Sequence, residues 1–491
     1  MEENPNKLEI YELRYSDLFL LSTDCHSSSS LQGNERIESI TKSIFEALGP
    51  SGPGLLAITG VPNSSVLRRT LLPLARKLAL LNPDDRKRIL KDHNLGSDVP
   101  LRNPERSVSS FAMQLKYTES KEFMQNNQSQ RGDKQSPGSE IDHFCDSIEK
   151  EVQDNEFKHL GDSFKELGSC MLELGLRIAR ICDAQIGGQE LEQSLLESCT
   201  AKGRLIHYHS ALDAQLLRKS TNCKGTARNQ ANSRRNKEQS IHSRQEPSDS
   251  NGLCQSSTNL WQQWHYDYGI FTVLTTPMFL SPSNTHGNEA QDLCCYSECC
   301  SPSGHLYLQI FDPCKNDIFM VNAPPESFII QVGESADIIS RGKLRSTLHS
   351  VCRPSKHEDL CREMFVVFLQ PAWNKTFSMS DYSIESSTLS EDKRDLVEQE
   401  ATVITQEIQK IVPPLASRLK EGMTFAEFSR ETTKQYYGGN GTETATEKLF
   451  DHPGKRVDSP KNFNKQAYGI TLGGVRDTRL YGPEHDDEPN P

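Results

Sequence analysis

Apolar residues between Leu8 and Leu95 fall into short runs of changing period. Residues 8–22 mix apolar and polar positions as a short strand followed by a turn would. Ile37, Ile40, Ile44 and Leu48 then follow a helical period, which the Gly/Pro cluster at 49–54 ends. The apolar run Leu55–Thr59, closed by Gly60-Val61-Pro62, reads as a buried strand. Helical segments are expected over about 64–81 and 83–92, the second with Asn82 as cap and Pro83 in its first turn.

Residues 1–124 form a first region by this reading, followed by a polar linker at 125–141 with almost no apolar side chains. The next region, 142–210, holds a long amphipathic helix and a strand. The helix, at about 142–186, carries Phe144, Ile148, Val152, Leu167, Met171, Leu174, Ile178 and Ile181 near helical spacing, with breaks expected at Gly161 or Gly168. Arg204–Tyr208 is the strand. Residues 211–259 read as a disordered basic insertion, with eight Lys/Arg against the single acid Glu238 between Arg218 and Arg244. From 260 to 373 the texture becomes short β-rich runs: Phe271–Thr275, His305–Phe311, Ser327–Val332, Ala336–Ile339 and Met364–Leu369. Such runs, with turn signals between them, predict a sandwich or barrel, interrupted by a Cys-rich insertion at 281–303. A helical segment is expected within 374–437, at about 390–435, before a polar tail at 438–491.

Composition narrows the function. Hydrophobic residues make up 35% of the 491, which fits a real core carrying long polar insertions. The net charge of −12 argues against a chain-wide nucleic-acid surface. No run of 18 apolar residues occurs, so no membrane partner is expected. The acidic N-terminus lacks the apolar stretch of a secretory signal, and the 14 Cys are too sparse for a disulfide scaffold. A soluble cytoplasmic protein is the expectation. Arg234-Arg235-Asn236-Lys237, a weak import pattern, keeps the nucleus open.

The β-rich block contains His265-Tyr266-Asp267. On a strand, alternate side chains share a face, so His265 and Asp267 would project together. An imidazole and a carboxylate supply two ligands of a 2-His-1-carboxylate triad, which leaves metal positions open for oxygen chemistry. His357-Glu358-Asp359 and His485-Asp486-Asp487 have the same spacing, but only the His265 copy runs into an apolar strand. A third ligand should come from a later strand of the same barrel.

Residues 333–351, from Gly333 through Gly342 and Ser346 to His349 and Val351, resemble a signature of the 2-oxoglutarate/Fe(II)-dependent dioxygenases of the soluble, plant type (isopenicillin-N-synthase-like). His265–Leu274 resembles that family's proximal metal motif, Thr272 included. Gly304–Phe311 and Val321–Phe328 resemble its intervening strand and turn. Gly54–Pro62 is similar, in weaker form, to its N-terminal strand and loop. The resemblance covers roughly half the chain. It implies a mainly β fold with flanking α: a double-stranded β-helix (jelly-roll) core behind an N-terminal helical and strand region, with long disordered insertions and a disordered tail. It further implies an oxidoreductase with Fe(II) on His265, Asp267 and His349, 2-oxoglutarate as co-substrate, and O2. The product would be a hydroxylated C–H bond in a small molecule.

The chain departs from the family on the co-substrate side. Arg362-Glu363-Met364 keeps the Arg that would fork onto a carboxylate but loses a Ser. Ile206-His207-Tyr208 keeps the Tyr of an Asn-x-Tyr pattern, and Ser350 stands where an Arg is common. Arg362 and Tyr208 are the candidate co-substrate residues. Asp267 and His349 lie 349 − 267 = 82 residues apart, more than the family norm, which places the excess in the Cys-rich insertion. Cys294, Cys295, Cys299 and Cys300 in that insertion are candidate zinc or redox ligands, although adjacent pairs match Cys-x2–4-Cys spacing poorly. The lost hydroxyl leaves open a non-catalytic jelly-roll binding protein with a degenerate co-substrate site. A nucleic-acid-acting oxygenase rests on the basic segment alone.

Overall fold

Apolar residues that recur at every second position can cover only one face of a sheet. Here the central strands are apolar at nearly every position, and the computed structural model shows why: both faces are covered. It describes residues 6–22, 31–97, 99–117, 155–222, 259–282, 296–313, 315–378, 408 and 411–438. In chain order the strands are β1 (Lys7–Glu9), β2 (Tyr11–Arg14), β3 (Leu55–Thr59), β4 (Val108–Lys116), β5 (Thr200–Tyr208), β6 (Leu260–His265) and β7 (Phe271–Thr275). They continue as β8 (Met278–Pro282), β9 (Tyr296–Cys299), β10 (Leu308–Asp312), β11 (Asp317–Asn322), β12 (Phe328–Val332), β13 (His349–Cys352) and β14 (Cys361–Leu369).

One sheet runs β1-β11-β10-β13-β6 and the other β2-β3-β12-β7-β14-β5-β4, with the β8–β9 arm attached to β14. From β5 to β14 the chain passes repeatedly from one sheet to the other, which is the double-stranded β-helix expected. Ile206, Tyr208, Leu274, Ile329, Met364 and Val366 of the second sheet meet Trp261, Leu308, Ile310 and Val351 of the first, filling the barrel. The alternate residues Leu205, Val273, Ile330, Phe365 and Val367 turn the other way, onto Phe164, Leu167, Met171 and Ile178 of the helix Leu160–Ile186. Gly203 of β5 sits under that helix: a Cβ there would lie 2.6 Å from Phe164 Cε1. The Phe164 ring is itself held edge-on against Phe365, 4.7 Å between centroids. Gly203→Ala is therefore expected to cost about 1–3 kcal/mol through overpacking, measured by denaturant titration.

Several expectations hold and others are corrected. The helix Pro83–Asp92 starts where Asn82 predicts, its side chain accepting from the Asp84 and Asp85 amides at 3.1 and 2.9 Å. The segment at 64–81 is two helices, Ser64–Leu71 and Pro73–Leu80, because Pro73 opens a new first turn. After β2 the chain enters the helix Tyr15–Ser22 instead of a turn, and its end is pinned by Arg177 and Arg180 at 2.6 and 2.8 Å from Ser22. Ala336–Ile339 is the end of the helix Glu334–Ile339, not a strand, a run too short for its period to decide. The strand foreseen from His305 begins only at Leu308, since Tyr307 adopts a left-handed φ of 55°.

The long helix runs Leu160–Ile186, opening beside Gly161 and passing through Gly168 unbroken; Phe144, Ile148 and Val152 of the expected stripe lie outside the described residues. Residues 211–222, expected within the disordered insertion, form the helix Ala211–Asn222. Ser210 and Asp213 cap it reciprocally: the Asp213 amide donates to Ser210 Oγ at 3.1 Å and the Ser210 amide to Asp213 Oδ2 at 3.2 Å. At the C-terminal end, Leu415–Arg418 and Phe425–Gly438 are helical. The linker at 125–141, residues 223–258 of the basic insertion, Cys294 and Cys295, most of 379–410 and the tail beyond Gly438 lie outside the described residues.

Candidate metal centre

His349 is the first residue of β13 and pairs directly with His265, the last of β6. The two imidazoles stand 4.1 Å apart between centroids. Asp267 is not on β6, as strand alternation predicts, but in the loop that follows it. That loop is clamped by the chain entering the helix Glu334–Ile339. The amides of Gly333, Glu334 and Ser335 donate to the carbonyls of Ile270, Asp267 and Gly269 at 2.9, 2.8 and 3.0 Å. Gly333 has no side chain to spare, because a Cβ would fall 2.3 Å from the Gly269 carbonyl oxygen.

The three residues converge, their donor atoms all within 4.8 Å of one another. His265 Nε2 is 3.8 Å from Asp267 Oδ1, and His349 Nε2 is 3.9 Å from Asp267 Oδ2. Each ring turns Nδ1 to a backbone carbonyl, His265 to Gln263 at 2.7 Å and His349 to Thr347 at 3.0 Å. A proton on each Nδ1 leaves both Nε2 lone pairs facing the carboxylate, the tautomer a divalent metal requires. Burial, together with the neighbouring His349, pushes His265 down to about 4, so the ring is neutral at physiological pH. Two further donors fix the carboxylate: Thr272 Oγ1 at 2.7 Å and Gln331 Nε2 at 3.0 Å, both on Asp267 Oδ2.

Arg362 and Tyr208 face each other across β14 and β5. The guanidinium lies 5.0 Å over the Tyr208 ring, and its Nε donates to the Leu306 carbonyl at 3.1 Å. Arg362 is 1% exposed, and its Nη1 has no hydrogen-bond partner. Tyr208 links this end to the imidazoles: its hydroxyl donates to Gln262 Oε1 at 3.1 Å, and Gln262 Nε2 reaches His265 Nε2 at 2.9 Å. Met364 is buried in the same interior, opposite Ile206. Cys299 and Cys300 are free thiols, half-buried and exposed. Sequence reading passed over Gln331, although one amide inside the apolar run Phe328–Val332, fully buried, was a visible signal. A cavity of about 280 Å³ is lined by Arg76, Leu280, Tyr296 and Glu298 among others and touches none of the triad.

No family model and no curated protein matches the chain. Among solved structures, the chain is similar to a full-length Neurospora crassa protein in complex with alpha-KG and thymine, at 14% identity and a TM-score of 0.41, over 82% of this chain and 98% of that one. It is similar to the rice dioxygenase for auxin oxidation at 14% identity and a TM-score of 0.41, over 81% and 99%. A putative 2OG-Fe(II) oxygenase family protein from Caulobacter crescentus gives 12% identity and a TM-score of 0.40, over 87% and 98%.

Proposed function

We propose that this protein is a non-haem iron oxygenase that uses 2-oxoglutarate and O2 to hydroxylate a C–H bond of a small molecule. One observation carries the reading. Two imidazoles and a carboxylate converge at one end of a barrel whose interior also holds a buried Arg362 with an unpartnered Nη1. A buried guanidinium without a carboxylate is costly. Its natural occupant is an anion that can accept two parallel N–H bonds, which a carboxylate of 2-oxoglutarate does.

His265, Asp267 and His349 would hold Fe(II), and both donor set and tautomers suit it. When bound, iron with 2-oxoglutarate and O2 supplies the oxidation, releasing succinate and CO2. The chain's own residues bind, orient and exclude water. Arg362 fixes the far carboxylate, with Tyr208 as the wall beneath it. Gln262 is exposed, so its amide can swing off His265 Nε2 as a ligand enters. Thr272 and Gln331 hold Oδ2 of Asp267 and leave Oδ1 for the metal. Thr272→Val is expected to weaken Fe(II) binding ten- to a hundredfold, as loss of an outer hydrogen bond does, read by anaerobic titration.

Anaerobic reconstitution with Fe(II), followed by O2 and assay for succinate against a metabolite extract, tests the reading. The second reading, a jelly-roll binding protein without catalysis, draws on Met364 and Ile206, apolar where polar partners of a co-substrate would serve. It gains if the reconstituted protein takes up iron but never 2-oxoglutarate.

A further inference from the structure

Period-2 alternation puts the neighbours of Tyr208 and Arg362 on the opposite face of the β5–β14 pair, where a second set of donors meets. His207 pairs in register with Glu363 and turns Nδ1 to Glu363 Oε1 at 2.7 Å. Its Nε2 stands 3.3 Å from Asp213 Oδ2 without hydrogen-bond geometry, both side chains 0% exposed. Cys361 Sγ completes the group, the three donor atoms lying within 4.8 Å of one another. Asp213 is held from behind. Arg76 Nε donates to Oδ1 at 3.0 Å, and the Ser210 hydroxyl to Oδ2 at 2.9 Å.

We propose that His207, Asp213 and Cys361 form a second metal site, which takes one Zn²⁺ or a similar borderline-soft divalent cation. Imidazole, carboxylate and thiolate are the ligand types zinc prefers. With Zn–N and Zn–O bonds near 2.0–2.1 Å, a tetrahedral N···O edge is about 3.3 Å, the separation found. Glu363 on Nδ1 is the carboxylate–histidine arrangement that orients a metal-bound ring, and it leaves Nε2 aimed at the other two donors. Three protein ligands leave the fourth position to water. The cavity lined by Arg76, Leu280 and Tyr296 adjoins the group, with Cys361 Sγ 3.5 Å from the Leu280 carbonyl, and supplies an entry path.

The bound ion would clasp β5, β14 and the helix Ala211–Asn222 together.

Titration of the full chain with Co²⁺ after chelator stripping tests this site, because a cobalt–thiolate bond absorbs in the near ultraviolet and the iron triad has no thiolate. The band is expected in wild type and in a variant carrying Cys294→Ser, Cys295→Ser, Cys299→Ser and Cys300→Ser together, and it should vanish in Cys361→Ser. Zn²⁺ should displace the cobalt and bind Cys361→Ser more than a hundredfold more weakly, beyond what loss of an outer partner costs. If Cys361→Ser does not fold, X-ray absorption at the zinc edge decides on the four-serine variant: a Zn–S bond of about 2.3 Å supports the site and its absence overturns it. A band that survives Cys361→Ser, a band lost in the four-serine variant, or no band in wild type overturns it and leaves a closed ion network.

Discussion

His349→Ala is expected to abolish stoichiometric Fe(II) binding while the barrel stays folded. The ring is 5% exposed and contributes one of the two imidazole nitrogens that the described residues bring to the centre. With it gone, His265 and Asp267 remain as a two-ligand fragment, too few ligands for a metal of this class. The fold should survive because β13 keeps its backbone pairing with β6 and β10 through Val351, and the cavity left is next to a polar amide, Gln331. His357→Ala is the control. His357 has the same His-x-Asp spacing but is exposed in the connection between β13 and β14, and it should change nothing. Anaerobic titration with circular dichroism checks both variants. Unchanged iron affinity in His349→Ala would remove the triad from consideration.

Arg362→Ala should nearly eliminate 2-oxoglutarate binding, and Met364→Ser should tighten it. A hydrogen bond to a charged group contributes about 1.5–3 kcal/mol, so a hydroxyl regained at 364 is worth roughly ten- to a hundredfold in affinity. Met364 faces the same interior as Arg362, two residues along one strand and 2% exposed, so a serine there replaces a side chain already turned toward the proposed ligand. Titration of the anaerobic iron form measures all three proteins. Equal affinity in wild type and Arg362→Ala would end the role given to Arg362.

The barrel was legible because its strands carry their own signal. β7, β12 and β14 are β-branched and aromatic runs, and His265, Asp267 and His349 sit in motifs with ordered spacing. What failed was local. Asp267 reads as a strand residue because nothing in the neighbouring sequence says that β6 stops at His265; the backbone bonds from residues 333–335 decide that, from a distant segment. The helix Ala211–Asn222 reads as loop because its anchor, Asp213 on Arg76, is a contact between remote parts of the chain. β4, a ninefold run from Val108, carries Ser109, Ser110 and Gln114 and was passed over. The His207 group was invisible for the same reason, since His207, Asp213 and Cys361 belong to three separate elements.

The clamp on the Asp267 loop also sets an order of assembly. A chain emerging from the ribosome presents His265 and Asp267 long before β12, the 333–335 segment and His349 exist to hold them. Contacts this far apart in sequence form late. A nascent chain halted before Gly333 therefore has a carboxylate and one imidazole on an unbraced loop, without the geometry to retain a metal. With the triad in its proposed role, iron would load only after the barrel has closed, so a chain in the loaded state would already have passed a test of its own folding.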